Sequence, residues 1–458
     1  MSEKPLRIAI MAGEPSGDRQ GAALLSALRE LAHPRSVEAW GIGGHAMREA
    51  GVSLRYNSEP WASIGLADTL LKLPFLLAVR AEMQRAVRRE RPDALVLIDA
   101  GAFNVPIGRA ARSEGICPVF YYFPPGSWRK GAIIRKGLRK VVQSADRIVT
   151  PFLWSEALLK AAGSDAYFVG HPLLDLVKPQ LTAAEFTERF GLDSYRPLVA
   201  LLPGSRKSEI RHILPALIGA ANEMARRIPG IQFAVALASS GHRQMVEEII
   251  EKERASSRLQ LLMHQAGDRL AHLAQGAITP PVPVLATNEG VSLDGRTLSQ
   301  GTSDDSLPRE RPAPAPLVIC EGLTCDVLAR SDLVLTKSGT ATLEAMILKK
   351  PMVIVYRGSA LMGLEWRMRR RRLNIAHIGL PNILADERLF AELLQDDATP
   401  EAIAELGVEL LLQPGRILAL KERLIGLVQN NLGEPGGVRR AAALLLDLIN
   451  KTPTSSTL

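Results

Sequence analysis

Short, nearly unbroken apolar runs recur along the chain, each stopped by a small polar turn and followed by apolar residues at helical spacing. Residues 6–11, 94–98, 119–122, 198–202, 233–238, 259–263, 317–320 and 333–335 are runs of this kind. The stretch 332–357 ends in a further strand after its helix, Val149 centres another that turns at Pro151, and Val169-Gly-His-Pro172 closes one more. Continuous rather than alternating hydrophobicity predicts strands covered on both faces, and the helical stretches between them predict parallel connections. The fold class that follows is α/β, with doubly wound parallel sheets. After the first strand, residues 12–18 are expected to form a loop and 20–31 an amphipathic helix.

The pattern runs once, pauses, and restarts. Val169-Gly-His-Pro172, then Pro179 and Pro197, punctuate the pause. We expect an N-terminal domain over 1–175 and a second over 176–450, with helices from about residue 400 able to return to the first, and a disordered tail over 451–458. Residues 279–316 break the rhythm. They are rich in Pro, Gly, Ser, Thr and Asp without a sustained period, which predicts an exposed insertion. A chain of 458 residues with 47% apolar content has material for both cores.

Charge narrows the partners. A net +8 favours anionic ones: nucleotides, phosphorylated substrates, acidic lipid headgroups or nucleic acid. No base-stacking aromatic array accompanies it, which argues against nucleic acid. Cys117, Cys320 and Cys325 are too few for a disulfide framework and lack zinc-ligand spacing, so a reduced, cytoplasmic composition without a metal site is expected. No apolar run approaches the roughly 18 residues of a membrane span.

Candidate chemistry sits at strand ends, where ligands of open parallel sheets lie. Asp99 ends the 94–98 run, either as a carboxylate facing a ligand or as a helix cap. Glu14 lies in the turn after the first strand. Gly13, Gly17 and Gly21 are too widely spaced for a dinucleotide fingerprint, which excludes a nicotinamide dehydrogenase. In the second half, Pro203-Gly-Ser-Arg206 places a planar guanidinium fork before a helix expected from about Ser208. Lys337-Ser-Gly-Thr340 opens another helix whose first amides suit a phosphate. One turn on, Glu344 either accepts both hydroxyls of a ribose or is a solvated residue stabilised by the helix dipole. His171 either orients a phosphate or caps a strand.

Residues 64–91 are apolar and then basic. Leu70, Leu73 and Leu76 crowd a segment broken by Pro74, and Arg85, Arg88, Arg89 and Arg91 follow. The order suits a membrane-surface element, while core packing explains the same leucines. Residues 367–372 form a second basic cluster, open to anionic lipid or to solvent.

Taken together, Gly13-Glu-Pro-Ser-Gly-Asp18, Ile98-Asp-Ala100, Phe103-Asn104, Leu202-Pro-Gly-Ser-Arg206 with Ser208-Glu-Ile210, Ser338-Gly-Thr-Ala-Thr-Leu-Glu344, Pro351-Met352 with Tyr356-Arg357, and Leu380-Pro-Asn-Ile-Leu384 resemble the lipid-A-disaccharide synthase family, in collinear order over nearly the whole chain. The resemblance implies two Rossmann-like domains facing a cleft, the GT-B type of glycosyltransferase. It implies transfer from UDP-2,3-diacylglucosamine to 2,3-diacylglucosamine 1-phosphate, giving a β(1→6) disaccharide 1-phosphate and UDP, without metal or cofactor. The acceptor belongs to the first half and the nucleotide to the second. The catalytic residue implied is Asp99, with Glu14 as the alternative. Ser16, Gly17, Asn104, Ser205, Arg206, Ser338, Gly339, Thr340, Glu344 and Asn382 are implied to bind substrate. Peripheral attachment to the inner membrane and a homodimer exchanging C-terminal segments are also implied. Family members carry Pro-Asp where this chain has Gly101-Ala102, and Ser-Pro-Ser-Val-Trp-Ala-Trp in place of residues 123–129, both on the acceptor side. Two other readings compete: a different UDP-sugar enzyme of the same fold, such as a peptidoglycan-pathway transferase or a sugar 2-epimerase, and a non-catalytic membrane or nucleic-acid binding protein.

Overall fold

The computed structural model describes residues 4–59, 66–124, 135–238, 240–256, 315–358 and 377–451. The expected strand at 259–263, the body of the expected insertion, the 367–372 basic cluster and residues 452–458 lie outside the described residues. Two fully parallel sheets form the frame. The first has seven strands: β1 (Leu6–Ala12), β2 (Val37–Gly43), β3 (Val52–Asn57), β4 (Ala94–Ile98), β5 (Val119–Tyr122), β6 (Arg147–Thr150) and β7 (Asp165–Phe168), in the order β3-β2-β1-β4-β5-β6-β7. The second has six: β8 (Leu198–Leu202), β9 (Gln232–Leu237), β10 (Leu317–Glu321), β11 (Leu333–Lys337), β12 (Met352–Tyr356) and β13 (Glu392–Leu394), in the order β10-β9-β8-β11-β12-β13.

Alternation along each strand explains the continuous apolar runs. Leu6, Ile8, Ile10 and Ala12 face one side of the first sheet, with Leu24, Leu25 and Leu28 of the helix Pro15–Ala32. Ala9 and Met11 face the other, with Val79, Met83, Ile107 and Ala111 from the helices Leu66–Glu90 and Gly101–Ser113. Both faces are covered, so nearly every position of a central strand is apolar, Arg7 of β1 and Thr336 of β11 being exceptions.

Several expectations are corrected. The turn after β1 is shorter than residues 12–18, and the helix begins at Pro15 instead of residue 20. Glu14 takes the extended N-cap conformation, and Pro15 has a backbone preset for the first helical turn with no amide to lose. Pro74 lies inside the helix Leu66–Glu90 instead of breaking it. Strands β2, β3 and β13 had no counterpart in the apolar pattern. The 21-residue helix after β8 starts at Lys207, with Arg206 as its N-cap.

A late segment closes the first core. The helix Gly437–Lys451 packs along Pro15–Ala32, inserting Ala441, Ala442 and Leu445 beside Leu24, Leu25 and Leu28. Its start is fixed by Asp175, whose two carboxylate oxygens accept from the amides of Gly436 and Val438. Buried Arg147 binds Asp165, Asp447 and the Leu444 carbonyl, tying the helix to the sheet. The connection leaving β7 meets the one entering this helix, where the His171 amide donates to the Leu432 carbonyl at 2.7 Å.

Leu445 is 1% exposed, so Leu445→Ala is expected to destabilise the first half by about 2–4 kcal/mol in urea unfolding. Ala443→Ser, on the exposed face of the same helix, should stay within about 0.5 kcal/mol.

Candidate active site

In each sheet the strand order reverses between two central neighbours, β1 and β4 in the first and β8 and β11 in the second. Helices leaving such neighbours go to opposite faces and leave a crevice at the carboxyl ends. Four turns open there: Gly13–Glu14 after β1, Asp99–Ala100 after β4, Pro203–Arg206 after β8 and Ser338–Gly339 after β11. The two crevices face one another. Arg206 Nη2 donates to Glu14 Oε1 at 2.7 Å, and Arg19 Nη2 donates to Glu344 Oε1 at 2.6 Å.

Asp99 sits on a tensed turn. Its φ is +46° and that of Ala100 is +45°, a left-handed pair with no glycine in it. The turn is held from beneath. The Tyr121 hydroxyl and the Asn104 amide both donate to the Asp99 carbonyl, at 2.7 and 3.0 Å, and Asn104 Nδ2 also reaches the carbonyls of Ile98 and Met11. Asn104 is 1% exposed; its amide positions Asp99. Burial and the neighbouring Glu14 carboxylate push the Asp99 carboxyl up to about 6, against a smaller opposing pull from the Ala100 amide and Arg206.

Across the cleft, Glu209 organises the phosphate-suited turn. Its carboxylate accepts from the amides of Ser205 and Arg206 and from Lys337 Nζ at 2.8 Å. Gly204 has φ +115°, and a Cβ there would stand 2.4 Å from Glu209 Oε2, so the turn admits only glycine. Ser205 is exposed beside Arg206. Ser338 donates its hydroxyl to the Ile378 carbonyl at 2.7 Å and its amide to Val355, Gly339 is the N-cap, and Thr340 opens the helix Thr340–Ile347. Glu344 is 3% exposed and ion-paired, not the solvated first-turn residue of the alternative reading.

Other expected residues lie under the site. Asn382 is fully buried: its amide nitrogen donates to the Phe390 carbonyl and Glu392, and its amide oxygen accepts from the Phe390 amide. Glu392 also accepts from the amides of Ile378 and Gly379. Asn382 therefore holds the segment on which Ser338 rests. Gly17 is buried in the first turn of Pro15–Ala32, where a Cβ would lie 3.3 Å from Ile98, and Ser16 is half-buried beside it. His171 is buried, held neutral by burial that lowers it to about 3, and its Nδ1 accepts from the Leu173 amide. It caps a turn and carries no charge for a phosphate.

Three polar residues were missed. Asp18 accepts from the amides of Gly44, Ala46 and Met47, fixing the helix His45–Glu49 against the β1 turn. Arg19 meets Glu344 across 325 residues of sequence. Lys337 pairs with Glu209. None has a local signal, because every partner is distant in the chain. Leu73 and Leu76 lie on the helix Leu66–Glu90, away from these turns. Leu73, Phe75 and Leu77 are exposed and Leu76 is half-buried, while the Leu70 side chain lies outside the described residues.

Two parallel-sheet domains meeting through their switch points have the GT-B architecture. Solved structures agree on the fold: S. aureus MnaA with UDP (12% identical, TM-score 0.58, covering 98% of this chain and 99% of that one) and a glycosyltransferase from Rickettsia africae (11% identical, TM-score 0.52, covering 98% and 100%). The fold alone leaves epimerase and transferase equally open. Sequence separates them. The pattern of the lipid-A-disaccharide synthetase family matches residues 8–278 and 308–431, leaving 279–307 unmatched. A lipid-A-disaccharide synthase of Syntrophus aciditrophicus is 33% identical over 447 residues, 97% of this chain and 98% of that one. The chain belongs to the lipid-A-disaccharide synthetase family, a family of glycosyltransferases.

A half-buried carboxyl raised from 3.8 to about 6 favours the folded state when protonated. It costs stability increasingly as pH rises from about 4 to 6, and the full cost remains above that. Asp99→Asn keeps the left-handed turn accessible. It is expected to stabilise the protein by about 1–3 kcal/mol at pH 7.5 and by nothing at pH 4, read from paired urea melts.

Proposed function

We propose that the chain transfers 2,3-diacylglucosamine from UDP to the 6-hydroxyl of 2,3-diacylglucosamine 1-phosphate, with Asp99 as general base. The observation that carries this reading is the meeting of Asp99 and Glu14, from one switch point, with Arg206 from the other. An inverting transfer needs those roles on opposite walls of a cleft. The base takes the proton of the attacking primary hydroxyl, and a cation on the far side steadies the departing diphosphate.

The donor lies along the second half. Arg206 offers its fork to the diphosphate, the first turn of Thr340–Ile347 adds its amides and dipole, and Glu344 takes the ribose hydroxyls. The acceptor lies along the first half, over Asp99. As the new C–O bond forms, the C–O bond to UDP breaks, the hydroxyl proton goes to Asp99, and UDP leaves with the electron pair. A carboxyl near 6 is mostly ionised at neutral pH and still basic enough to draw the proton.

Diacylated substrates reside in a bilayer, so the enzyme works at a membrane surface. Among the described residues no helix is long and apolar enough to cross one. Leu73, Phe75 and Leu77 are exposed on Leu66–Glu90. Arg85, Arg88 and Arg89 lie roughly two turns or more further along the helix and pair with Glu82, Glu114 and Glu90, so the exposed apolar side chains carry the case for contact with a leaflet.

Mass spectrometry of the product from the two diacylglucosamine substrates tests the reading; absence of the disaccharide 1-phosphate rejects it. Asp99→Asn should lower kcat by about a hundred- to ten-thousandfold with UDP binding retained, and should remove the fall in rate below about pH 6. Should Glu14→Gln abolish turnover while Asp99→Asn spares it, the base is Glu14. Arg206→Ala should lower donor use about ten- to a hundredfold. Replacing Leu73, Phe75 and Leu77 together with Ser should weaken binding to vesicles containing phosphatidylglycerol while leaving UDP binding intact. Unchanged vesicle binding would remove this helix from the membrane contact.

A further inference from the structure

Among the described residues, both ion pairs that cross the cleft start from one short stretch of the first half. Glu14 reaches Arg206, and Arg19, a turn further along the same helix, reaches Glu344. On the donor-site reading given above, on which this inference rests, Arg206 serves the diphosphate and Glu344 the ribose. The first-half partners then match the nucleotide group by group. Glu14 gives Arg206 an anion where a diphosphate would, and Arg19 gives Glu344 N–H donors where a vicinal diol would give O–H donors. A diol bound to both carboxylate oxygens claims Oε1, which Arg19 already holds at 2.6 Å.

We propose that Arg19 is a positioning residue that competes with a nucleoside diphosphate for Glu344, so that the segment 14–19 mimics the nucleotide and is exchanged for it. The two pairs bridge the two walls of the cleft, and the donor enters by replacing both. Exchange has a second effect. Once a diphosphate takes Arg206, the Glu14 carboxylate is released beside Asp99 on the acceptor wall. The donor must therefore be seated before the acceptor wall takes its working form, and binding is ordered, donor first.

The size of the effect is bounded by exposure. The Arg19 side chain is 47% exposed, and pairs open to solvent contribute little. Removing the competitor should therefore tighten UDP binding roughly two- to fivefold.

Calorimetry with UDP on the full chain tests this. Arg19→Ala and Arg19→Gln are expected to tighten UDP by that factor, and Glu344→Ala to weaken it. Small-angle scattering without nucleotide should show Arg19→Glu more expanded than the parent. The double variant Arg19→Glu/Glu344→Arg should return to parental dimensions, its pair restored with reversed polarity, yet fail to bind UDP. Weaker UDP binding by the Arg19 variants would overturn the proposal and make Arg19 a nucleotide contact. Unchanged binding there, with weakening in Glu344→Ala, would also overturn it while leaving the donor site standing. Unchanged binding in all three would reject the donor-site reading itself.

Discussion

A parallel sheet sends the helices on either side of its switch point to opposite faces, and this constraint puts each candidate group in the cleft where it is. Glu14 and Asp99 leave neighbouring strands in the first sheet, and Arg206 and Ser338 leave neighbouring strands in the second. Register carries the constraint to atoms. Ala12 pairs with Ile98, and Leu202 with Thr336, so the turns that follow emerge side by side. Two sheets of the same topology, set carboxyl end to carboxyl end, put Glu14 and Asp99 on one wall of the cleft and Arg206 and Ser338 on the other.

The groups expected to touch substrate rest on buried polar residues that do not. Asn104 and Tyr121 hold the left-handed turn that aims Asp99, and Asn382 acts through Glu392 and residues 378–379 to seat Ser338. Glu209 does the same for the Arg206 turn. In each case a side chain satisfies backbone groups that a tight turn would leave without partners, and at Asn104 and Asn382 it does so where burial keeps water away. Asp99 shows what that arrangement costs. Its backbone is strained and its carboxylate is poorly solvated, and both features suit a proton acceptor better than a residue selected for stability.

Much of this was legible in sequence, for definite reasons. Strands β1, β4, β5, β8 and β11 are buried on both faces, so their runs were almost wholly apolar, and the ends of β1, β4, β8 and β11 carried the site. Strand β2 was hidden because Glu38, Gly41 and Gly43 interrupt its run, β3 because Ser53 and Arg55 give an edge strand a polar side, and β13 because it has three residues. The helix at Pro15 was placed late, since Ser, Gly and Asp near a turn resemble loop chemistry until Pro15 is taken as a first helical residue. Asn104 and Asn382 stood out as polar residues in collinear motifs, but sequence could not tell a ligand group from a buried support. Asp18 closed the first collinear motif without a role and Arg19 left no trace, because their partners are brought by the fold and not by the local chain.

The helix Gly437–Lys451 carries the most remote consequence. It belongs by position to the late chain and by packing to the first core, where Leu445 lies beside Leu24, Leu25 and Leu28. Synthesis proceeds from the other end. When the ribosome has completed β7, the apolar flank of the helix Pro15–Ala32 is still uncovered, and it stays so while the whole second sheet is made. The first half therefore cannot complete its core as an independent unit in order of translation, and the flank that Ala441, Ala442 and Leu445 cover stays open until the last helix is made.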